Sequence, residues 1–359
     1  MTSPVSRGAL PFRLRPVTVL AVLVAAALLP ATAHAQPFGA WAVFDGAPGN
    51  YVRIASSPAL NPTAGFTFEA WVKLEIPPQS CRTIAGKGYI TAWWVGVCDA
   101  GTGPRLRSYL RGGASEVDGG YLKNGQWTHV AVTFDGAHRR HYVNGELTAT
   151  IDESGPLATN GLEMRIGSDV DSDLVPAGSM AELRLWSVAR TQAQIRSFLN
   201  RPMRNAQAGL VAVWTEAIHD AIDGHTGTIV GAVHPDSFPV IQSCVGSPGC
   251  VNGHFIITAS ARAGDAQGPD TNDGNVQASS ADSLVFSFFG AGNWELLVKG
   301  INGCGINHRN WVYSAATTDR FFRLTVLDVR AGTQKIYFNY PGPPAPAITD
   351  SDAFATCPP

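Results

Sequence analysis

The chain has 359 residues, of which 45% are hydrophobic and only 15% charged, against roughly 25% charged in an average globular protein. That much apolar material excludes wholesale disorder. Lys plus Arg number 26 and Asp plus Glu 28, for a formal net charge of −2, so there is no global field to hold a polyanion and nucleic-acid binding is set aside. The 38 Gly and 24 Pro punctuate the whole length, the pattern of many short strands joined by turns, and the expected class is all-β.

In chain order, Arg7, Arg13 and Arg15 precede an apolar run from Val17 to Leu29, and Ala33-His34-Ala35 supplies small residues of the kind a signal peptidase reads. The run is about 13 residues, short of the roughly 20 that span a bilayer, so residues 1–35 are expected to be a secretory signal peptide. No later stretch is long and apolar enough to span, and the mature product is expected outside the cell, free or on its surface. Strand-like segments then recur at Trp41–Phe44, Tyr51–Ile54, Phe66–Leu74, Tyr89–Val97, Arg105–Leu110, Thr128–Phe134, His141–Val143 and Glu163–Ile166, the short spacing of a sandwich. In the third of these, Phe66, Phe68, Ala70, Val72 and Leu74 share one face, while Thr67, Glu69, Trp71 and Lys73 share the other. Asp135-Gly136 and Asn144-Gly145 mark tight turns.

One helix is predicted, Thr191 to about Asn200, where Thr191 and Gln194 form a capping-box pair and Ile195, Phe198 and Leu199 an apolar stripe. Strand patterning resumes at Gly209–Trp214 and Gly227–Val233. A boundary is expected at 239–250, around Pro239 and the Cys244-to-Cys250 loop. Beyond it, Phe255–Ala259, Ser283–Phe289, Trp294–Lys299, Asn310–Ser314, Phe321–Val329 and Gln334–Tyr340 read as a second, smaller β-sandwich over 251–359, closed by a Pro-rich tail. In an oxidising compartment six cysteines imply disulfides. They allow 15 pairings, among which sequence does not select. Spacing suggests Cys81 with Cys98 around one hairpin and Cys244 with Cys250 in a tight loop, which leaves Cys304 with Cys357.

Several blocks, taken in order, resemble the laminin-G-like (pentraxin-like) jelly rolls of the concanavalin A-like lectin and glucanase superfamily. They are Phe44-Asp45-Gly46 through Asn50-Tyr51-Val52, Phe66-Thr67-Phe68-Glu69-Ala70-Trp71-Val72, Gln126-Trp127-Thr128-His129 through Asp135-Gly136, Tyr142-Val143-Asn144-Gly145, Met180 to Trp186, and Gly209 to Trp214. The resemblance covers residues 36–238 and implies a jelly-roll sandwich there. From Cys244 onward, Cys250-Val251-Asn252-Gly253-His254-Phe255, Trp294 to Lys299 and Asp350 to Phe354 resemble a β-rich domain at the C-terminus of many secreted bacterial proteins, for which a supporting or attaching role is expected.

The superfamily includes glucanases, but a retaining glycosidase of this fold needs two carboxylates about 5 Å apart on a Glu-x-Asp-x-x-Glu strand, and no such motif occurs. Glu69 and Glu75 lie six apart, and Asp152 and Glu153 point to opposite faces. No nucleophile elbow, zinc helix or phosphate loop is present; Gly101-Thr102-Gly103-Pro104 and the segment from Asp270 to Gly274 read as turns. His138 and His141 fall in and just after a predicted turn and read as a solvated basic turn. Asp169, Asp171 and Asp173 alternate in a loop, a pattern that suits a hard cation, and the resemblance implies calcium at a sandwich edge; a solvated acidic loop is the alternative. Trp71, Trp93 and Trp94 are candidate ligand-stacking aromatics or, equally, core. The expected function is non-catalytic recognition of a carbohydrate or an extracellular protein through the jelly roll, with calcium as a candidate cofactor. A glycan-degrading hydrolase of the same fold and a purely structural surface protein are the alternatives.

Overall fold

The computed structural model describes residues 38–357, apart from 100, 111–116, 223, 265–267, 269 and 343–344. The expected signal peptide, 1–35, lies outside the described residues. Among these no helix is long and apolar enough to cross a membrane. The first part of the chain supplies β1 (Ala40–Asp45), β2 (Tyr51–Ile54), β3 (Phe66–Leu74), β4 (Arg82–Gly86), β5 (Trp93–Asp99), β6 (Pro104–Leu110) and β7 (Thr128–Phe134). It continues with β8 (His138–Val143), β9 (Glu146–Asp152), β10 (Met164–Ile166), β11 (Ala177–Trp186), α1 (Gln192–Phe198), β12 (Leu210–Trp214), β13 (Thr228–Val230) and β14 (His234–Ser237). All their pairings are antiparallel. One sheet runs β14-β1-β11-β3-β7-β8-β9 with β12 beside β11, and the other runs β13-β2-β10-β4-β5-β6.

The alternation in β3 explains how these sheets meet. Phe66, Phe68, Ala70, Val72 and Leu74 all enter one core, with Val130, Val132 and Phe134 of β7 beside them and Ile84, Val95 and Leu106 of the opposite sheet facing them. The single predicted helix is present, and Thr191 caps it reciprocally with Gln194. It lies over the outer face of the larger sheet, where Ile195 packs on Ala131 and Tyr142.

The second part forms another pair of antiparallel sheets. Its strands are β15 (Cys250–Val251), β16 (Phe255–Arg262), β17 (Asn272–Asp273), β18 (Asn275–Ser279), β19 (Ser283–Ser287), β20 (Leu296–Asn302), β21 (Asn310–Ala316), β22 (Phe321–Asp328), β23 (Thr333–Asn339) and β24 (Ile348–Phe354). They are ordered β15-β16-β22-β23 with β17 beside β16, and β18-β19-β20-β21-β24. Phe255, Phe286, Val298, Val312, Leu324 and Phe354 fill the core between them. The architecture is therefore all-β, a jelly-roll sandwich followed by a smaller one.

The two sandwiches are joined by a third apolar cluster, in which Phe38, Trp41, Trp71 and Trp127 of the first meet Ile336 and Phe338 of β23. Polar contacts fix the register of this joint. Asn200 donates to Ile336 O at 2.6 Å and accepts from Ile336 N at 3.0 Å. Tyr340 donates its hydroxyl to Asn144 O at 2.9 Å and lies under the Arg196 guanidinium, 3.5 Å from the ring centroid. Arg262 pairs with Glu146 at 2.6 Å across the same boundary. Asp270, in the segment read as a turn, is buried against Arg323 at 3.2 Å.

Three disulfides are present, Cys81–Cys98, Cys244–Cys250 and Cys304–Cys357. Several boundaries differ from expectation. The segment Tyr89–Val97 begins as a turn and becomes strand only at Trp93. His138 and His141 both belong to β8. The Pro-rich tail ends in β24, which completes the smaller sheet beside β21.

Candidate functional site

Of the two readings open for Trp71, Trp93 and Trp94, ligand-stacking or core, all three take the buried one. Trp71 points away from the first core, as its alternation demands, but the second sandwich covers that face. Its ring is stacked 6.3 Å from Phe338 and lies edge-on to His129 at 5.4 Å. Trp93 sits inside the first core against Phe66 and Phe68, at 5.2 and 5.8 Å. Trp94 donates its indole N–H to Thr83 Oγ1 at 2.8 Å. Its ring lies so close over Gly96 that any Cβ there would collide with it.

The polar residues of the same β3 face are equally covered. Glu69 accepts from Arg190 Nη1 at 2.6 Å, and the His129 ring nitrogen stands 3.5 Å from its other oxygen. Burial pushes this carboxyl up, but His129, Arg190 and Arg184 outweigh that and hold it at about 2. It is a structural ion-pair partner. His141 is likewise buried, with Nε2 2.7 Å from Ser108 Oγ. Burial and the nearby Arg139 charge bring it down to about 3, so it is a neutral core histidine.

The acidic loop does not offer its carboxylates to a cation. Asp169 is buried; Oδ1 accepts from Gly88 N at 2.8 Å and Oδ2 from Tyr89 N at 2.9 Å. Burial raises its pKa, with these N–H groups opposing the shift. Asp171 accepts from Ile90 N at 3.1 Å, and Asp173 from Ser168 Oγ at 2.8 Å and Gly49 N at 2.6 Å. Each carboxylate thus ties the 168–173 loop to a distant backbone segment. Among the described residues, no group of three His, Cys, Asp or Glu side chains is placed to share a metal.

Open, mixed polar and apolar surface lies instead at one end of the first sandwich. The loop after β3 carries Ile76, 63% exposed, followed by Pro77, Pro78 and Gln79. On one side of this wall is a hollow of about 240 Å³ that reaches Asp45, Arg82 and Pro176; on the other, one of about 470 Å³ reaches Asp99 and Gly101. The charged groups are held in place by their neighbours. Asp45 accepts from Asn50 Nδ2 at 2.8 Å and Ala47 N at 2.9 Å, and these bonds lower its pKa. Arg82 Nη1 donates to Ser80 Oγ at 2.7 Å and Cys81 O at 2.9 Å. Asp99 Oδ1 accepts from Gly101 N and Gly103 N at 2.8 and 3.0 Å. The Cys81–Cys98 bridge staples the strands that carry Arg82 and Asp99.

Chemically, this end cleft offers a fixed acceptor, a fixed cation and an apolar ridge, the usual furniture of a small-ligand site. Each hollow is lined by a single carboxylate. Sequence reasoning missed it because its residues come from four separate segments of the chain. The available signal was Ile76-Pro77-Pro78, an apolar residue and two prolines where a solvated turn would be polar.

No curated protein matches the chain. Among solved structures, a protein from Bacteroides ovatus provisionally named as carbohydrate binding is 22% identical with a TM-score of 0.47, over 56% of this chain and 60% of that one. The chain therefore spans less than two thirds of that protein's length. A SAP-like pentraxin from Limulus polyphemus is 15% identical with a TM-score of 0.44, over 55% of this chain and 95% of that one. Domain 4 of a GH43 extracellular arabinanase from Geobacillus stearothermophilus, solved with arabinotriose, is 23% identical with a TM-score of 0.35, over 43% of this chain and 73% of that one. Residues 45–196, from the end of β1 into α1, match the sequence model of the Concanavalin A-like lectin/glucanases superfamily, and the first sandwich is a domain of that superfamily.

Proposed function

We propose that the protein is a secreted, non-catalytic carbohydrate-binding protein that takes saccharide at the end cleft of its first sandwich. The observation that carries this reading is the fixed Asp45 and Arg82 in a hollow shared with the exposed Ile76 and Pro77. A carboxylate and a guanidinium together accept from and donate to sugar hydroxyls, while the ridge covers the apolar C–H side of a sugar ring. Hydrolysis would require two carboxylates flanking one bond, and the single carboxylate in each hollow supports binding without cleavage. Three disulfides in one chain support life in an oxidising compartment.

The test is a glycan array probed with the purified mature protein and with the Asp45→Ala/Arg82→Ala double variant. The expected result is binding to a defined saccharide, weakened tenfold or more in the double variant, which corresponds to about 1.4 kcal/mol or more. Equal binding by both proteins would remove the end cleft from the reading.

A further inference from the structure

β13 pairs with β2, so that Thr228 lies opposite Arg53. This register brings together two distant loops: the turn after β2, which carries Ser57, and the connection from β12 to β13, which carries Asp220 and His225. Ser57 Oγ stands 3.3 Å from His225 Nε2, and His225 Nδ1 stands 3.3 Å from Asp220 Oδ2. A hydroxyl, an imidazole and a carboxylate in that order are the arrangement that activates a serine as a nucleophile. Ser57 and His225 lie 168 positions apart, so no local pattern in the sequence points to them.

The carboxylate and the imidazole are held in place. The Asp220 side chain is fully buried. Its Oδ1 accepts from Val213 N at 3.0 Å and Ile222 N at 3.2 Å, and its Oδ2 from His225 N at 3.2 Å. A carboxylate only accepts, so Oδ2 beside Nδ1 sets the ring with its proton on Nδ1 and leaves Nε2 to accept from Ser57. His225 O in turn accepts the Trp214 indole N–H at 2.7 Å. Ser57 Oγ also accepts from Ala59 N at 3.2 Å, as the cap of a short 3-10 turn at Pro58–Leu60. Capping uses a lone pair and leaves the O–H free to donate to His225. Ser57 is half-buried, and Ser56, Pro58 and Ala59 around it, like Gly224 and Thr226 around His225, are exposed.

From this geometry we infer that Ser57 is an acyl-acceptor site, which takes the acyl group of an activated carboxylic ester with His225 as general base and Asp220 as the residue that positions it. Ser57 Oγ bonds to the ester's carbonyl carbon as its proton passes to His225 Nε2. The bond from that carbon to the alcohol oxygen then breaks, and the proton leaves with the alcohol. The products are O-acyl-Ser57 and the free alcohol. In a nucleophile elbow, the N–H of the residue after the serine helps hold the developing oxyanion, and loss of one such donor costs about 10²–10³ in rate. Here that residue is Pro58, which has no N–H, and the next N–H, that of Ala59, is directed at Ser57 Oγ itself. The site therefore accepts an acyl group once and does not turn over, in keeping with a non-catalytic protein, and it is independent of the end cleft.

The test incubates the full mature chain with p-nitrophenyl acetate, follows p-nitrophenolate release by absorbance and locates the acetyl group by peptide mapping. The site predicts a burst of one p-nitrophenolate per chain, with the acetyl group on Ser57. Ser57→Asn keeps a capping side chain and should abolish the burst. His225→Gln should slow acetylation of Ser57 by about a hundredfold or more. Asp220→Asn, which can turn an N–H towards Nδ1 and so favour the wrong tautomer, should slow it comparably with little change in melting temperature. Wild type unfolded in urea keeps Ser57 but loses the arrangement, and should not be acetylated there, an arm that holds even where a variant fails to fold. An unlabelled Ser57 in the native chain, or labelling at the wild-type rate in His225→Gln or in urea, overturns the site. Wild-type labelling in Asp220→Asn overturns the role of Asp220, and steady turnover after the burst overturns the single transfer.

Discussion

His141 makes a quantitative demand on the pH dependence of stability. Its ring is buried on β8 against Ser108, and burial together with Arg139 depresses it to about 3, whereas in the unfolded chain an imidazole titrates near 6.5. Below pH 6.5 the unfolded chain therefore takes up a proton that the native state refuses until about pH 3. This contribution is fully present above pH 6.5 and is lost as the pH falls towards 3, at up to about 1.4 kcal/mol per unit. Over the whole window that amounts to roughly 4 to 5 kcal/mol, comparable with the total stability of many domains. His141→Gln keeps a polar side chain opposite Ser108 and does not titrate. In urea unfolding between pH 7 and 4, the stability gap between wild type and this variant should narrow by about 3 kcal/mol. His129, whose pKa burial also lowers, is common to both proteins and cancels. Parallel pH profiles would refute the assignment of His141 as a buried neutral histidine.

Trp71→Ala should lower stability by about 3 to 5 kcal/mol in denaturant unfolding, as for other buried large-to-small changes, because the ring is fully enclosed between the sandwiches; a loss under 1 kcal/mol would contradict that enclosure. Lys87 is buried and donates to Asn160 Oδ1, Asn160 O and Leu162 O at 3.0, 3.1 and 2.6 Å, so Lys87→Met should cost about 2 kcal/mol by stranding these acceptors, read as a lower urea midpoint. Removing the Cys304–Cys357 bridge, which spans 53 positions, should cost about 4 kcal/mol on the chain-entropy account, measured as the stability of the double serine variant. Calcium or a chelator should leave the melting temperature unchanged, since the 169–173 carboxylates are engaged with backbone; a rise in Tm with calcium would contradict this.

Much of the fold was legible because short-range patterns carry it. The alternation of Phe66 to Leu74 and the Thr191–Gln194 cap are both local, and both recur in the structure. Strands without such a signal escaped. Glu146–Asp152 is a sheet-edge strand of mixed polarity, and Ile348–Phe354 holds four charged or hydroxyl residues in a row beneath a Pro-rich approach. What alternation does not reveal is what lies on the second face of a strand. Trp71 was assigned to the correct side of β3, but only the position of Ile336 and Phe338, far along the chain, determines that this side is covered. Asp169 fails to announce its role for a similar reason. A carboxylate that binds a cation and one that binds the N–H groups of residues 88 and 89 are written with the same letter, and the difference rests on a contact about 80 positions away. Trp294 was read as the first residue of a strand, whereas it stands in the loop before β20, where its ring is free.

The aromatic joint between the sandwiches has a consequence for the order of events during synthesis. The first sandwich has all its strands once Ser237 of β14 is made, but Ile336 and Phe338, which cover Trp71, come about a hundred residues later. At translation rates of about 5–20 residues per second, the nascent chain carries an open tryptophan-rich face for something on the order of ten seconds. In that interval the folded first sandwich is sticky, and any ribosome-bound or export chaperone that engages this chain has a defined target in Trp41, Trp71 and Trp127. Stalled or truncated products that end before β23 keep that face permanently, which makes them natural substrates for quality-control proteolysis.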